Sequence, residues 1–212
     1  MMKFPSTALL LVSFYVLPLL AAPRLVPTWP VLVLAAFCTL LFLTQPALSM
    51  KESQEHKSTD GWTIWLILGV SGAGQILSLV DWAYRQGAPQ VLDTWAIAGL
   101  ACLALGTGFR LWAIRTLDKA FAAVVQIKEG QQLVTSGPYR WLRHPSYTGA
   151  WVAMIGAALL MHSYLGLVVM GPGMLLVYVR RIAVEERALD AGFGEAYTNM
   201  KRNTQRLLPG VW

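Results

Sequence analysis

Charge is scarce in this chain. Only 13% of its 212 residues are Asp, Glu, Lys or Arg, whereas a soluble domain carries about 25%. Hydrophobic residues make up 56% and fall into long runs. That pattern excludes an ordinary soluble domain and points to membrane spans. Cysteine is nearly absent. Cys38 and Cys102 both lie inside apolar runs, so no disulfide framework is implied. The three histidines, His56, His144 and His162, show no metal-ligand spacing, so no metal is expected. No Walker-type phosphate loop, GxGxxG or GxSxG occurs, and no internal repeat is visible.

What is present is six apolar runs, roughly 4–22, 31–48, 62–80, 94–113, 146–161 and 163–180. A span needs about 20 apolar residues. The last two runs are short and nearly contiguous, so 146–180 reads as a tight helical hairpin. Pro172, between Gly171 and Gly173, is expected to kink its second arm. The expected fold is therefore all-α, a polytopic membrane helix bundle of about six spans. Residues 1–113 form a four-span region, and 114–212 carry the loop, the hairpin and the tail.

The net charge of +6 raises the question of nucleic acid, but its distribution answers otherwise. With six spans, fifteen of the seventeen Lys and Arg fall on one side, counting Arg110 and Arg180 there. Only Arg24 and Arg85 fall opposite. This is the positive-inside pattern, and it places 1–3, 49–61, 114–145 and 181–212 in the cytosol. No nucleic-acid partner is expected. Lys3 and Leu20-Ala21-Ala22 also fit a secretory leader. The length of the first run and its Pro18 favour a retained span. Small residues recur every fourth position at Ala98, Cys102 and Gly106, and at Gly149, Ala153 and Ala157. Each set predicts close helix contact. Trp82 and Trp95 sit at span ends, as interfacial anchors do. The charged linker Lys51 to Asp60 reads as a mobile loop.

The most informative stretch is Gly137-Pro138-Tyr139-Arg140-Trp141-Leu142-Arg143-His144-Pro145-Ser146-Tyr147-Thr148-Gly149. It crowds Arg, His, Tyr and Pro against the start of an apolar run. Polar groups at a membrane face are costly to keep unless they do chemistry. A second cluster follows the hairpin: Arg180-Arg181-Ile182-Ala183-Val184-Glu185-Glu186-Arg187. Each feature also has a plainer account. Arg181 and Glu185 fit an ordinary i,i+4 ion pair worth a few tenths of a kcal/mol. Arg140 and Arg143 fit topogenic charges, Tyr139, Trp141 and Tyr147 fit an interfacial aromatic belt, and His144 fits a helix cap.

These motifs resemble those of the isoprenylcysteine carboxyl methyltransferase family, integral membrane enzymes that use S-adenosylmethionine. The resembling features are Val124-Val125-Gln126, then Gln132-Leu133-Val134-Thr135-Ser136-Gly137-x-Tyr139, then Arg143-His144-Pro145-Ser146-Tyr147-x-Gly149. Glu185-Glu186-x-x-Leu189 and Phe193-Gly194-Glu195-x-Tyr197 complete the pattern. The resemblance covers the C-terminal half. It implies a cytosolic cofactor site formed by Gln126, Gln131, Gln132, Leu133, Val134, Tyr139, His144, Pro145, Ser146, Tyr147 and Glu185. It implies Arg181 as the residue holding the substrate carboxylate, with Arg181 and Glu185 as the catalytic pair. The implied activity is methylation of the carboxylate of a C-terminal prenylated cysteine, in a protein or a small prenylcysteine-like lipid. The implied location is the endoplasmic reticulum, or the plasma membrane in a bacterium.

The residue types suit those roles. Tyr139 and Tyr147 offer aromatic faces to an adenine or a sulfonium. A carboxylate such as Glu185 accepts hydrogen bonds from an ammonium or from hydroxyls. Arginine grips a carboxylate at two points. Two positions depart from the family pattern: Met200 stands where a Tyr is usual, and Asn203 where a positive residue is common. Both bear on the substrate pocket's rim. The nearest rival function is a phospholipid N-methyltransferase, which Glu186 keeps open. A non-enzymatic membrane scaffold would explain the spans but not the motif order. The tail from Arg206 to Trp212 is expected to fold back to the membrane surface.

Overall fold

An apolar run in lipid must satisfy its own backbone polar groups, which leaves helices as the economical solution for this chain. The computed structural model describes residue 9 and residues 11–44, 61–118 and 132–210. The linker Lys51 to Asp60 lies outside them. Within the described residues no strand forms, and helices follow the apolar runs. They are α1 (Trp29–Thr44), α2 (Gly61–Val80), α3 (Thr94–Leu117), α4 (Pro145–Leu160), α5 (Tyr164–Val168), α6 (Met174–Phe193) and α7 (Glu195–Asn203). A π-helical turn over Val169–Gly173 joins α5 to α6 into one long helix, Tyr164–Phe193. Pro172 sits inside that turn, where its missing N–H removes a ladder bond.

Local sequence explains the boundaries. Asp93 caps α3 by accepting from the Ala96 N–H, and Ser163 caps α5 by accepting from Gly166. Pro145 opens α4 where its ring is tolerated. Gly194, at φ +52°, separates α6 from α7.

Among the described residues, three helices are long and apolar enough to cross a membrane: Trp62–Arg85, Thr94–Leu117 and Tyr164–Phe193. Two apolar helices, α1 and α4, are shorter. At 16 residues each they rise about 24 Å, against roughly 30 Å of hydrocarbon. The described part of the first run is not one regular helix. A π turn (Val12–Val16) gives way to 3₁₀ turns at Leu17–Leu19 and Pro23–Leu25, the first of them holding Pro18. Tyr15 nonetheless reaches α1, donating to the Leu34 carbonyl.

The most extensive contact among the described residues is α3 against α4. A Cβ on Gly106 would lie 2.5 Å from the Ala153 nitrogen, and one on Gly149 would lie 2.6 Å from the Arg110 nitrogen. Gly99 and Gly156 make equally close approaches to Leu160 and Leu103. The seam is thus Gly99, Leu103, Gly106 and Arg110 against Gly149, Ala153, Gly156 and Leu160. Gly106, Gly149, Ala153 and Ala157 are buried as expected, but Ala98 and Cys102 turn partly outward. A strict four-residue repeat drifts around a helix of 3.6 residues per turn, whereas alternating steps of three and four hold one face.

Polar ties fasten the bundle at both ends. At one end, Ser163 donates to Asp81 (2.7 Å) and the His162 imidazole meets the Asp93 carboxylate (2.9 Å). The Ala96 N–H and then His162 hold the Asp93 carboxyl below its ordinary range. At the other end, Arg181 of α6 reaches Thr63 of α2, and Arg110 of α3 reaches Ser146 of α4. The predicted motif residues gather at this second end.

Candidate active site

The loop before α4 is seated on the end of α3. Gly137 adopts φ +58°, a conformation that favours glycine, and a Cβ there would lie 2.8 Å from the Thr116 hydroxyl. The following 3₁₀ turn, Gly137–Arg140, buries Pro138 and Tyr139. Tyr139 packs with Ala113, Tyr197 and Met200, joined by Leu133, Val134, Leu189 and Phe193. The spaced Leu189, Phe193 and Tyr197 are therefore the wall on which the loop rests. Met200 occupies this wall as a core residue, while Asn203 is exposed and bonds only back to Asn199 among the described residues. Gln132 is exposed. Gln126 and Gln131 lie outside the described residues.

The tail completes the loop. Arg143 N–H donates to the Gln205 carbonyl, Gln205 N–H to Trp141, and His144 N–H to Arg206. The Thr148 hydroxyl donates to the Leu207 carbonyl, and Leu207 is fully buried among Met174, Tyr178 and Ile182. The tail thus folds back onto the loop and the bundle, and Trp212 lies outside the described residues.

His144 stands at the N-terminus of α4, but its side chain makes no capping bond. Its imidazole lies between two consecutive carboxylates. Nδ1 is 3.8 Å from Glu185 and Nε2 is 3.5 Å from Glu186. The ring stacks on Tyr147 at 5.9 Å, and Tyr147 packs on Tyr178 at 4.8 Å. Arg181 is 2% exposed; its Nε donates to the Tyr147 hydroxyl (3.1 Å) and NH1 to Thr63 (3.2 Å). Glu185 stands 3.9 Å from Arg181, at the edge of ion pairing. Arg181, Glu185, His144 and Tyr147 are therefore one cluster, with Pro145 and Ser146 buried beside them.

Glu186 has a different task. It accepts from Arg143 Nε (2.8 Å) and Arg206 Nε (2.9 Å), and Arg143 also reaches the Thr204 and Lys201 carbonyls. It ties loop, helix and tail together. Arg143 is thus a structural clamp as well as one of the basic residues of that side. The aromatic residues also part company: Tyr139 is buried, Tyr147 is half-buried in the site, and Trp141 alone is exposed as an interfacial ring would be.

Several members of this cluster carry no local sequence signal. Thr63 begins an otherwise apolar span. Arg110 is read from sequence as a boundary charge, yet it is buried and donates to both the Ser146 carbonyl (2.9 Å) and hydroxyl (3.2 Å). Its position on the Gly99–Gly106 face was the available clue. Tyr197 and Tyr139 have phenols pushed well up by burial and by neighbouring carboxylates, so both stay protonated at neutral pH.

Buried polar atoms are normally hydrogen-bonded. Six are not, among the described residues, and three of the six, Glu185 Oε2, His144 Nε2 and Tyr197 Oη, lie at this end of the bundle. Their chemistry fits S-adenosylmethionine, which offers ammonium and hydroxyl donors and a cationic sulfur. No group of three or more His, Cys, Asp or Glu comes together as a metal site among the described residues.

The sequence pattern of the phospholipid methyltransferase family (PEMT) matches residues 94–196. The protein-S-isoprenylcysteine O-methyltransferase of Xenopus laevis is 35% identical over 121 residues, 56% of this chain and 42% of that protein. The Arabidopsis thaliana protein-S-isoprenylcysteine O-methyltransferase B is 30% identical over 127 residues, 58% of this chain and 63% of that protein. The matched stretch is thus about half the length of such relatives. The solved structure of the eukaryotic intramembrane Ras methyltransferase ICMT aligns with a TM-score of 0.64 at 22% identity, covering 97% of this chain and 75% of that one. That likeness extends the shared fold through α1 and α2, beyond the motifs. Over the matched stretch, this chain is similar to protein-S-isoprenylcysteine O-methyltransferases.

Proposed function

We propose that this chain is a membrane methyltransferase that uses S-adenosylmethionine to methylate the carboxylate of a C-terminal prenylated cysteine, on a protein or on a small prenylcysteine-like lipid. The observation that carries the reading is the buried guanidinium of Arg181 set beside His144, Tyr147 and Glu185. A cation at the heart of a methyl-transfer site favours an anionic acceptor.

The cofactor, when bound, supplies an electrophilic methyl group. His144 to Tyr147, Tyr139, Gln132 to Val134 and Glu185 would hold it, with Glu185 Oε2 accepting hydrogen bonds from its ammonium or hydroxyls. Gln126 and Gln131 are proposed to join them. Arg181 would orient the acceptor carboxylate by its two-point fork. An α-carboxylate has a pKa of about 3.5 and is ionised at neutral pH. No base is needed, which agrees with Tyr139 and Tyr197 being held protonated. The chain's remaining work is to align the reacting atoms and exclude water.

The name of the matching family favours a second reading, methylation of a phospholipid amine. An ammonium with a pKa near 10 must lose a proton before it attacks, which asks for an acid-rich acceptor site with a base (about 10 is the ordinary amine value). Glu186 is held by Arg143 and Arg206, and Arg181 would repel an ammonium. The carboxyl-methylation reading therefore stands first.

The charge split supports six spans, with both termini, loop 114–145 and the site facing the cytosol. We place the chain in the endoplasmic reticulum membrane, or the plasma membrane in a bacterium. Residues 1–113 and 114–212 are proposed as membrane and catalytic regions. The test is a methyl-transfer assay on membranes, offering farnesylated cysteine and phosphatidylethanolamine together with labelled cofactor. Label released from farnesylated cysteine by mild alkali, as an ester, supports the reading. Label in the phospholipid amine selects the rival. Label in neither, with no cofactor binding, makes the chain a scaffold.

A further inference from the structure

The lipid-facing side of α3 ends in a feature that methyl transfer does not use. Its exposed stripe runs Ile97, Ala101, Leu105, Gly108, Trp112 and then Arg115. Phe109 meets Trp112 edge-on at 5.9 Å, and Trp112 meets Trp141 edge-on at 6.1 Å. The Arg140 guanidinium then lies 3.8 Å above the Trp141 ring. An aromatic row thus climbs from the apolar span to a stacked cation at the membrane surface. Arg115 closes the same stripe one turn beyond Trp112.

Three observations point to a ligand. Neither Arg115 nor Arg140 has a carboxylate within ion-pair distance among the described residues, whereas Arg143, Lys201 and Arg206 on the same end each have one. The Arg140 guanidinium stacks on the Trp141 face, which restricts the directions its fork can take. Below it, Gly108 leaves the helix surface open: a Cβ there would meet nothing within 4 Å. That notch lies between Leu105 and Trp112, which are 71% and 42% exposed. Two positive groups at headgroup level, over an apolar notch with aromatic walls, match a phosphodiester on acyl chains.

We infer that Arg115, Arg140, Trp141 and Trp112 form a binding site for the headgroup of an anionic phospholipid, with an acyl chain lying along the Gly108 notch. The occupant is a lipid rather than free phosphate because the stripe below the cations belongs to a membrane-crossing helix. A general positive surface would attract anionic lipid wherever arginine is dense. This site instead depends on two named guanidinium groups and on the ring that holds one of them.

The test uses the full chain in nanodiscs of equimolar phosphatidylcholine and phosphatidylglycerol, extracted into detergent and weighed by native mass spectrometry. Wild type should retain phosphatidylglycerol in preference to phosphatidylcholine. Each guanidinium near the surface is worth roughly fivefold, so Arg115→Gln/Arg140→Gln should lose roughly twenty-five-fold of that preference. Arg187→Gln/Arg202→Gln removes the same charge from exposed positions elsewhere on that end and should keep it. Trp141→Leu leaves both charges and should lose several-fold. Equal loss in both double variants, or loss in neither, overturns the site. Displacement of the lipid by excess soluble glycerophosphate would show an anion site without a lipid, and also overturns it. Folding of every variant is checked by its melting temperature, so that loss of the chain is not read as loss of the lipid.

Discussion

Arg181→Lys is the sharpest single test of the proposed acceptor role. The substitution keeps the positive charge and removes the fork. In the structure Arg181 donates through Nε to Tyr147 and through NH1 to Thr63, two hydroxyls that hold the guanidinium plane. A lysine ammonium cannot meet both and also present two parallel donors to a carboxylate. Loss of one charge-assisted contact costs about 1.5–3 kcal/mol, or roughly ten- to a hundredfold. Misplacing the reacting oxygen can add about another hundredfold. Turnover on farnesylated cysteine should therefore fall at least tenfold and as much as ten-thousandfold, by the same roughly additive estimates. Cofactor affinity should change far less. Arg181 touches the cofactor cluster through the Tyr147 hydroxyl, and losing one such bond is worth about 1 kcal/mol, or roughly fivefold. The assay is a pair: isothermal titration of S-adenosylmethionine in detergent, and ester formation at saturating cofactor. Near-normal turnover would move the carboxylate anchor elsewhere. Cofactor affinity falling as far as turnover would make Arg181 part of the cofactor site through its Glu185 contact.

Four further outcomes are expected. His144→Ala, Tyr147→Ala and Glu185→Ala should each weaken S-adenosylmethionine binding measured by titration; unchanged affinity in all three, with melting intact, would remove the cofactor assignment. Gly149→Leu should prevent assembly, since a Cβ there already meets the Arg110 nitrogen at 2.6 Å, while Gly108→Ala should hold or raise the melting temperature by removing a helical glycine, worth about 0.5–1 kcal/mol. Asp93 has its carboxyl lowered by the Ala96 N–H and His162, so its contribution is present above the ordinary value of 3.8 and is lost as pH falls through its lower folded value. Asp93→Asn should therefore flatten the acid limb of a melting-temperature profile below that value, and an unchanged limb would refute the linkage. Reporter fusions at Met1 and Trp212 should give same-side signals, and opposite signals would mean an odd number of spans.

Much of this fold is legible from local pattern. Apolar runs give the helices because lipid leaves the backbone no alternative. The hairpin turn falls at Met161–Ser163, between the two predicted arms, because Ser163 caps the second. Lengths are less legible: α3 continues to Leu117 and α6 to Phe193, past the apolar residues, because Arg and Glu are good helix formers. The contact seam is missed by one residue at Ala98 and Cys102, since period and phase both matter. The motif residues His144, Tyr147, Arg181 and Glu185 do meet, and their sequence order carried that. Thr63 does not announce itself. Nothing within ten residues of it distinguishes it from any polar residue at a span end, and its contact with Arg181 joins residues 118 apart in sequence.

The paired glutamates show why spacing alone stops short. Glu185 and Glu186 are neighbours with identical chemistry, and a helix turns them about 100° apart. One faces Arg181 and His144 with a buried oxygen that no donor satisfies among the described residues. The other is consumed by Arg143 and Arg206. The partners arrive from a loop 43 residues upstream and a tail 20 residues downstream. The division of labour therefore comes from which long-range cations land on which face. It has a functional consequence. A carboxylate locked between two arginines can shape the site but cannot receive a proton from an amine acceptor. The one left accepting can bind a cofactor's donors. The same pair of residues that keeps an amine acceptor open on paper argues, once folded, for the carboxylate.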